Sequence, residues 1–295
     1  MYDFEGAEGD PSARLSRPPV VLTALEAVRL AVELPSSVVL DAVIPRRDVG
    51  GDRPVLVLPG FYATDGLTGR VRGHLKRQGY RAYSWGLDRN LGLTDRIVEG
   101  LPARLDEVYE RHHHPVSVIG WSFGGLLARW LAHERPDRVR QVVTMGSPWR
   151  SEGEVTRTTA MFEASAKKHG LSSQAREIVD TLREPLPVPT TAIYSKTDGI
   201  VNWRACALDE GPGCENIAVP SSHVGLVSNP LSLAALDDRL AQDPASPEPF
   251  EWGRALRRYA LGGCASAGAD EWRAATATPQ TTTQTSAESP AGTPA

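Results

Sequence analysis

The stretch Val116-Ser117-Val118-Ile119-Gly120-Trp121-Ser122-Phe123-Gly124-Gly125 constrains this chain more than any other. An apolar, β-branched run enters G-x-S-x-G and leaves through Leu126-Leu127-Ala128-Arg129-Trp130-Leu131-Ala132, so a strand passes into a helix through one tight turn. Such a turn holds its serine in strained backbone geometry and needs small residues where strand and helix approach, a need that Gly120, Gly124 and Gly125 meet. Ser122 then projects its hydroxyl at the carboxyl end of a central strand as a candidate nucleophile. The backbone N–H of Phe123 lies beside it as a donor to developing negative charge.

The flanking pattern repeats strand and helix. Pro54-Val55-Leu56-Val57-Leu58 reads as a buried strand that stops at Pro59-Gly60, where a loop can supply a second backbone donor. Residues 67–78 read as a helix stopped by Gly79, residues 80–85 as a strand, and Thr94 caps a helix to about Arg111 with Ile97, Leu101, Leu105 and Val108 on one face. Residues 138–145, 190–195 and 216–219 read as further strands, and residues 230–240 as a last helix. Strand–helix alternation over this length implies an α/β fold, with parallel strands joined by crossover helices on both faces of one sheet. Residues 151–187 break the rhythm with two helix-like stretches and a proline-rich exit, which suggests a cap covering a pocket.

The ends read differently. Residues 1–18 have too little apolar content to fix themselves and read as a mobile arm, and residues beyond about 265 read as a disordered tail, leaving 19–264 as the folded domain. Within that domain, residues 20–34 carry Val21, Leu25, Val28 and Val32 at helical spacing, so an amphipathic helix ends near Pro35. Its apolar stripe is expected to dock on the body of the protein, or else to overhang a lipid-binding entrance. Residues 38–44 suit either helix or strand.

A net charge of −4 offers no attraction to nucleic acid or an acidic membrane. No stretch approaches the ~20 apolar residues of a membrane span. The best candidate for a signal-peptide core is interrupted by Glu26, Arg29 and Glu33, so a cytoplasmic protein is expected. The oligomeric state is not legible. Three cysteines make no disulfide framework and lack metal-site spacing. Cys206 and Cys214 flank a Gly-Pro-Gly turn, which leaves open either a bridge or two free thiols, and Cys264 has no evident partner.

A serine hydroxyl needs a base, and the base needs an orienting carboxylate. Asp198 and His223 each follow a predicted strand directly, as Ser122 does, so in a parallel sheet all three emerge at one edge. Asp180 and Asp209 fall in less well-placed segments, and His112, His113 and His114 precede the serine's strand at the opposite edge. Phe61, Tyr62, Trp85, Trp121 and Trp149 are available either to line an acyl pocket or to fill the core.

Together the elbow at 120–125, the strand end Val143-Thr144-Met145-Gly146-Ser147-Pro148, Thr197-Asp198-Gly199-Ile200-Val201 and Ser222-His223-Val224-Gly225 resemble the α/β-hydrolases, in particular lipase- and esterase-like members. The resemblance covers roughly residues 54–240. It implies Asp198 as the acid, His223 as the base, no cofactor or metal, and an acyl ester or lipid as the small-molecule substrate. The sequence departs from the pattern at Pro59-Gly60, where many such enzymes have His-Gly, and at Gly146-Ser147-Pro148-Trp149, where they often have Gly-Thr-Pro-His. The first departure leaves the donor role to a backbone N–H, carried onto Phe61 with Phe123 as its partner. Ester hydrolysis leads. Acyl transfer through the same residues and a non-catalytic binding scaffold are the alternatives.

Overall fold

Successive side chains of a strand point to opposite faces, and β1 (Pro54–Leu58) has both faces buried: Val55 and Val57 enter one apolar cluster, Leu56 and Leu58 another. Such a strand demands cover on both sides. The computed structural model, which describes residues 16–43, 46–150, 159–244 and 246–261, supplies it. With β2 (Arg81–Ser84), β3 (Val116–Trp121), β4 (Val139–Met145), β5 (Thr190–Tyr194) and β6 (Cys214–Ala218), β1 forms a sheet ordered β2-β1-β3-β4-β5-β6 in which every pairing is parallel.

The helices are α1 (Val20–Val43), α2 (Gly69–Arg77), α3 (Asp95–His112), α4 (Phe123–Glu134), α5 (Thr159–His169), α6 (Ala175–Thr181), α7 (Pro230–Ala241) and α8 (Trp252–Leu261). On one face Val71 and Leu75 of α2, Leu233 and Leu236 of α7 and Tyr259 of α8 pack over Val55, Val57 and Ile119. On the other, Ile97 and Leu101 of α3, Leu127 and Leu131 of α4 and Ile178 of α6 pack over Leu56, Leu58 and Val118. The chain order reverses at the β1/β3 junction, and in open α/β sheets such a junction opens a crevice at the strands' carboxyl ends. The serine turn sits there.

Four differences from the sequence reading stand out. First, α1 does not stop near Pro35 but continues to Val43, so residues 38–43 are helix; a proline forfeits one hydrogen bond, and the long helix absorbs that loss. Second, α1 is docked the other way round. Val21, Leu25, Val28 and Val32 are exposed, while Thr23, Glu26, Arg29 and Glu33 bond to the loops after β5 and β6. Those loops present unpaired backbone N–H groups, and a carboxylate satisfies them where a valine does not.

Third, the 151–187 segment is not all set apart from the body of the fold: Ala175, Ile178 and Leu182 of its second half are buried in the core, and Arg129 donates to the Leu182 carbonyl at 3.1 Å. Fourth, α8 follows the helix expected to be last. Trp252, Ala255 and Tyr259 recur at helical spacing, and Ala255 and Tyr259 are buried, so the signal of this helix was present in the sequence. It is tied to α7 through Asp238, which is fully buried and accepts from Arg239 and Arg254. Residues 1–15 of the arm expected at 1–18, the tail expected from 265, and residues 151–158 of the expected cap lie outside the described residues.

Candidate active site

The serine turn takes the shape its glycines permit. Ser122 alone separates β3 from α4, at φ 54° and ψ −126°, a left-handed conformation that costs a non-glycine residue about 1–3 kcal/mol. Two close approaches enforce it. A Cβ at Gly120 would run into the Gly124 carbonyl, and one at Gly124 would lie 2.5 Å from the Leu58 carbonyl oxygen. The Ser122 N–H donates to the Met145 carbonyl at 2.8 Å, pinning the turn to β4.

Asp198 follows β5. Its Oδ1 accepts from the N–H groups of Ile200 and Val201, both at 2.8 Å, so Oδ2 is left for another partner. That partner is His223, beyond β6: Nδ1 and Oδ2 are 2.6 Å apart, and on the other side of the ring Nε2 lies 3.0 Å from Ser122 Oγ. A carboxylate at Nδ1 holds the proton there, leaving Nε2 to accept from the serine hydroxyl. Both Asp198 and His223 are 4 % exposed. Burial pushes the imidazole toward its neutral form, but the charge and hydrogen bond of Asp198 together with the charge of Glu26 outweigh it, and the His223 pKa is raised above its ordinary 6.5.

The neighbouring backbone has donors to spare. Among the described residues no acceptor meets the N–H of Phe61 or of Phe123. The loop carrying Phe61 is fixed by Asn90, fully buried, whose Nδ2 donates to the Pro59 carbonyl at 2.8 Å and whose carbonyl accepts from Tyr62 N at 2.7 Å. Asn90 escaped the sequence reading because a loop asparagine has no period to betray it.

The aromatic candidates separate. Phe61, Phe123 and Phe162 form a triangle with ring centroids 5.5–5.8 Å apart, and Tyr62 packs edge-on against Phe61 at 4.8 Å. Phe162 reaches the triangle from α5, over Gly92, with Ser165 Oγ donating to the Leu91 carbonyl at 3.0 Å. As a single aromatic in a charged helix, Phe162 gave no signal of its own.

The three tryptophans do not join this triangle, because each buried indole N–H seeks a carbonyl and finds it elsewhere. Trp85 is fully buried in the core and donates to Asp88. Trp121 donates to the His223 carbonyl at 3.0 Å and backs the imidazole. Trp149 packs beside Tyr194 and Leu208 and donates to Ala207.

The remaining candidates fall away from the serine. His112 bonds Tyr83 at the amino end of β3, Asp180 is exposed and Asp209 pairs with Arg150. Cys206 and Cys214 are free thiols, the first buried and the second exposed, so the bridge left open by their spacing is not formed. A cavity of about 170 Å³ bordered by Gln141, Thr190, Cys214 and Arg239 opens at the opposite, amino-terminal edge of the sheet. No helix among the described residues is long and apolar enough to cross a membrane.

A family model described as alpha/beta hydrolase fold matches residues 111–175. Among solved structures, Aspergillus fumigatus lipase B aligns with a TM-score of 0.53 at 22% identity, over 79% of this chain and 64% of that one. The chain thus spans less than two thirds of that lipase. The monoacylglycerol lipase of Paleococcus ferrophilus aligns with a TM-score of 0.49 at 16% identity, over 67% of this chain and 96% of its own. No curated protein matches the sequence. At these identities the likeness to lipase B speaks for the arrangement of the chain and not for its substrate.

Proposed function

We propose that this chain, an α/β-hydrolase by fold, is a serine hydrolase that cleaves carboxylic esters with an apolar acyl group. The observation that carries the reading is the continuous hydrogen-bonded line from Asp198 through His223 to Ser122, with spans of 2.6 and 3.0 Å. Ser122 Oγ attacks the ester carbonyl while His223 Nε2 takes its proton, and Asp198 orients the ring and stabilises the imidazolium. The N–H groups of Phe61 and Phe123 receive the negative charge that develops on the carbonyl oxygen. His223 returns the proton to the departing alcohol, and water, activated by the same imidazole, releases the acid from Ser122.

The surroundings of Ser122 support this substrate class. Phe61, Phe123 and Phe162 offer an apolar wall next to the nucleophile, suited to an acyl chain and not to a charged acid. The test is to treat the full chain with a fluorophosphonate and with p-nitrophenyl esters of graded chain length. Wild type is expected to be labelled on Ser122 and to hydrolyse the esters. Ser122→Ala should stay folded and lose at least about a thousandfold in turnover; near wild-type turnover in that variant would sink the reading.

A further inference from the structure

Beyond the β5–β6 ladder, which ends at the pairing of Tyr194 with Ala218, the two chains separate into the loops that carry Asp198 and His223. A polar stripe of α1 rejoins them. Thr23, Glu26, Arg29 and Glu33 recur at helical spacing on one face, and each reaches a backbone group of these loops. Thr23 Oγ1 donates to the Gly199 carbonyl at 2.6 Å, Arg29 donates to the Thr197 carbonyl, and Glu33 Oε1 accepts from Ser222 N at 2.8 Å. Glu26 spans both loops: Oε1 accepts from Gly199 N at 2.8 Å and Oε2 from His223 N at 2.9 Å. The fit is close, since a Cβ at Gly199 would collide with the Leu22 carbonyl and one at Gly225 with the Glu33 carboxylate.

We infer that Glu26 is a positioning residue for the reaction, its carboxylate holding the residue after the acid and the base itself at one fixed separation while adding a second negative charge beside the imidazole. The inference rests on Ser122, Asp198 and His223 acting as proposed above. The two backbone N–H groups account for an acceptor at this point, but a neutral acceptor would serve them without the cost of a buried charge. Burial and the nearby Asp198 charge both raise the Glu26 pKa against the two backbone hydrogen bonds and the His223 charge that lower it, so the ionised group is held there at a cost. What offsets that cost grows during turnover, because the imidazolium formed when Ser122 attacks faces Asp198 from its own loop and Glu26 from α1. Arg29 and Glu33, on the same helix, are engaged with Thr197 and Ser222.

The experiment measures kcat, KM and the pH profile of kcat/KM with p-nitrophenyl butyrate on the full chain carrying Glu26→Gln, with Ser122→Ala alongside. Glutamine keeps the shape but loses the charge and one acceptor. The expected result is kcat lower by roughly ten- to a hundredfold, KM within about twofold, and an acid limb moved to lower pH, because the imidazole has lost a neighbouring negative charge. An unchanged kcat overturns the inference. So does a loss of activity with an unmoved acid limb, which would mark Glu26 as merely structural.

If Glu26→Gln does not fold, Glu26→Asp keeps the charge and withdraws the bridge by one methylene. It should then lower kcat while leaving the acid limb in place, and wild-type kcat in that variant overturns the inference equally. Activity surviving in Ser122→Ala would instead defeat the functional reading on which all of this depends.

Discussion

The indole N–H of Trp121 donates to the backbone carbonyl of His223 at 3.0 Å, so the residue before Ser122, the proposed nucleophile, holds the proposed base. The bond crosses from β3 to the loop after β6. It keeps the imidazole's backbone in register with the serine turn independently of the side-chain line through Asp198. Trp121→Phe removes this donor while preserving a ring in the core. It should cost about 1 kcal/mol of stability and lower kcat by about three- to tenfold through a misplaced base. Steady-state kinetics beside a thermal melt would check it; unchanged kcat would show that Asp198 and Glu26 suffice.

The acid side of the activity profile should lie above the ordinary histidine value. The base must be neutral to accept from Ser122, and Asp198 and Glu26 raise the His223 pKa above 6.5 against the opposing effect of burial. Activity is therefore lost as pH falls through that raised value. The kcat/KM profile, which reports the free enzyme, should show an acid limb above 6.5, and one below it would contradict the geometry.

Phe162 should govern chain-length preference. Its ring brings α5 to Phe61 and Phe123. Phe162→Ala is expected to reduce kcat/KM for long acyl esters by about tenfold and for acetate esters much less. Equal losses across the ester series would place the acyl wall elsewhere. Deleting the entire 151–187 segment is a poorer test, since Ala175, Ile178 and Leu182 belong to the core.

Asp238 should matter to stability and not to chemistry. Burial alone would raise its pKa, but hydrogen bonds and charge from Arg254 and Arg239 prevail and lower it below 3.8. An acid with a depressed folded pKa contributes stability above its unfolded value and loses that contribution as pH falls through the folded one. Asp238→Ala leaves Arg239, Arg254 and Arg258 without their shared buried partner and should cost about 3–5 kcal/mol at neutral pH. Chemical denaturation should show the gap to wild type narrowing below pH 3.8. A gap independent of pH would mean that packing, not charge, is what the substitution removes.

That Ser122, Asp198 and His223 would lie near one another was legible in the sequence because each follows a strand signal that ends in a turn. Once three such runs are parallel, their ends share an edge, and the resemblance to α/β-hydrolases added which of the residues there pair with Ser122. What the tertiary structure decided is everything whose signal is not periodic or whose meaning depends on what lies opposite. The valines of α1 predicted a docked apolar face, yet the helix docks by Thr23, Glu26, Arg29 and Glu33. That polar stripe has the same helical spacing as the apolar one, and only the unpaired N–H groups of two distant loops make it the face that is buried. Trp85, Trp121 and Trp149 likewise look alike in sequence, and which carbonyl each indole meets assigns one to the core, one to the base and one to neither. Composition and spacing constrain what a segment can form; which of its faces is satisfied depends on groups brought from elsewhere in the chain.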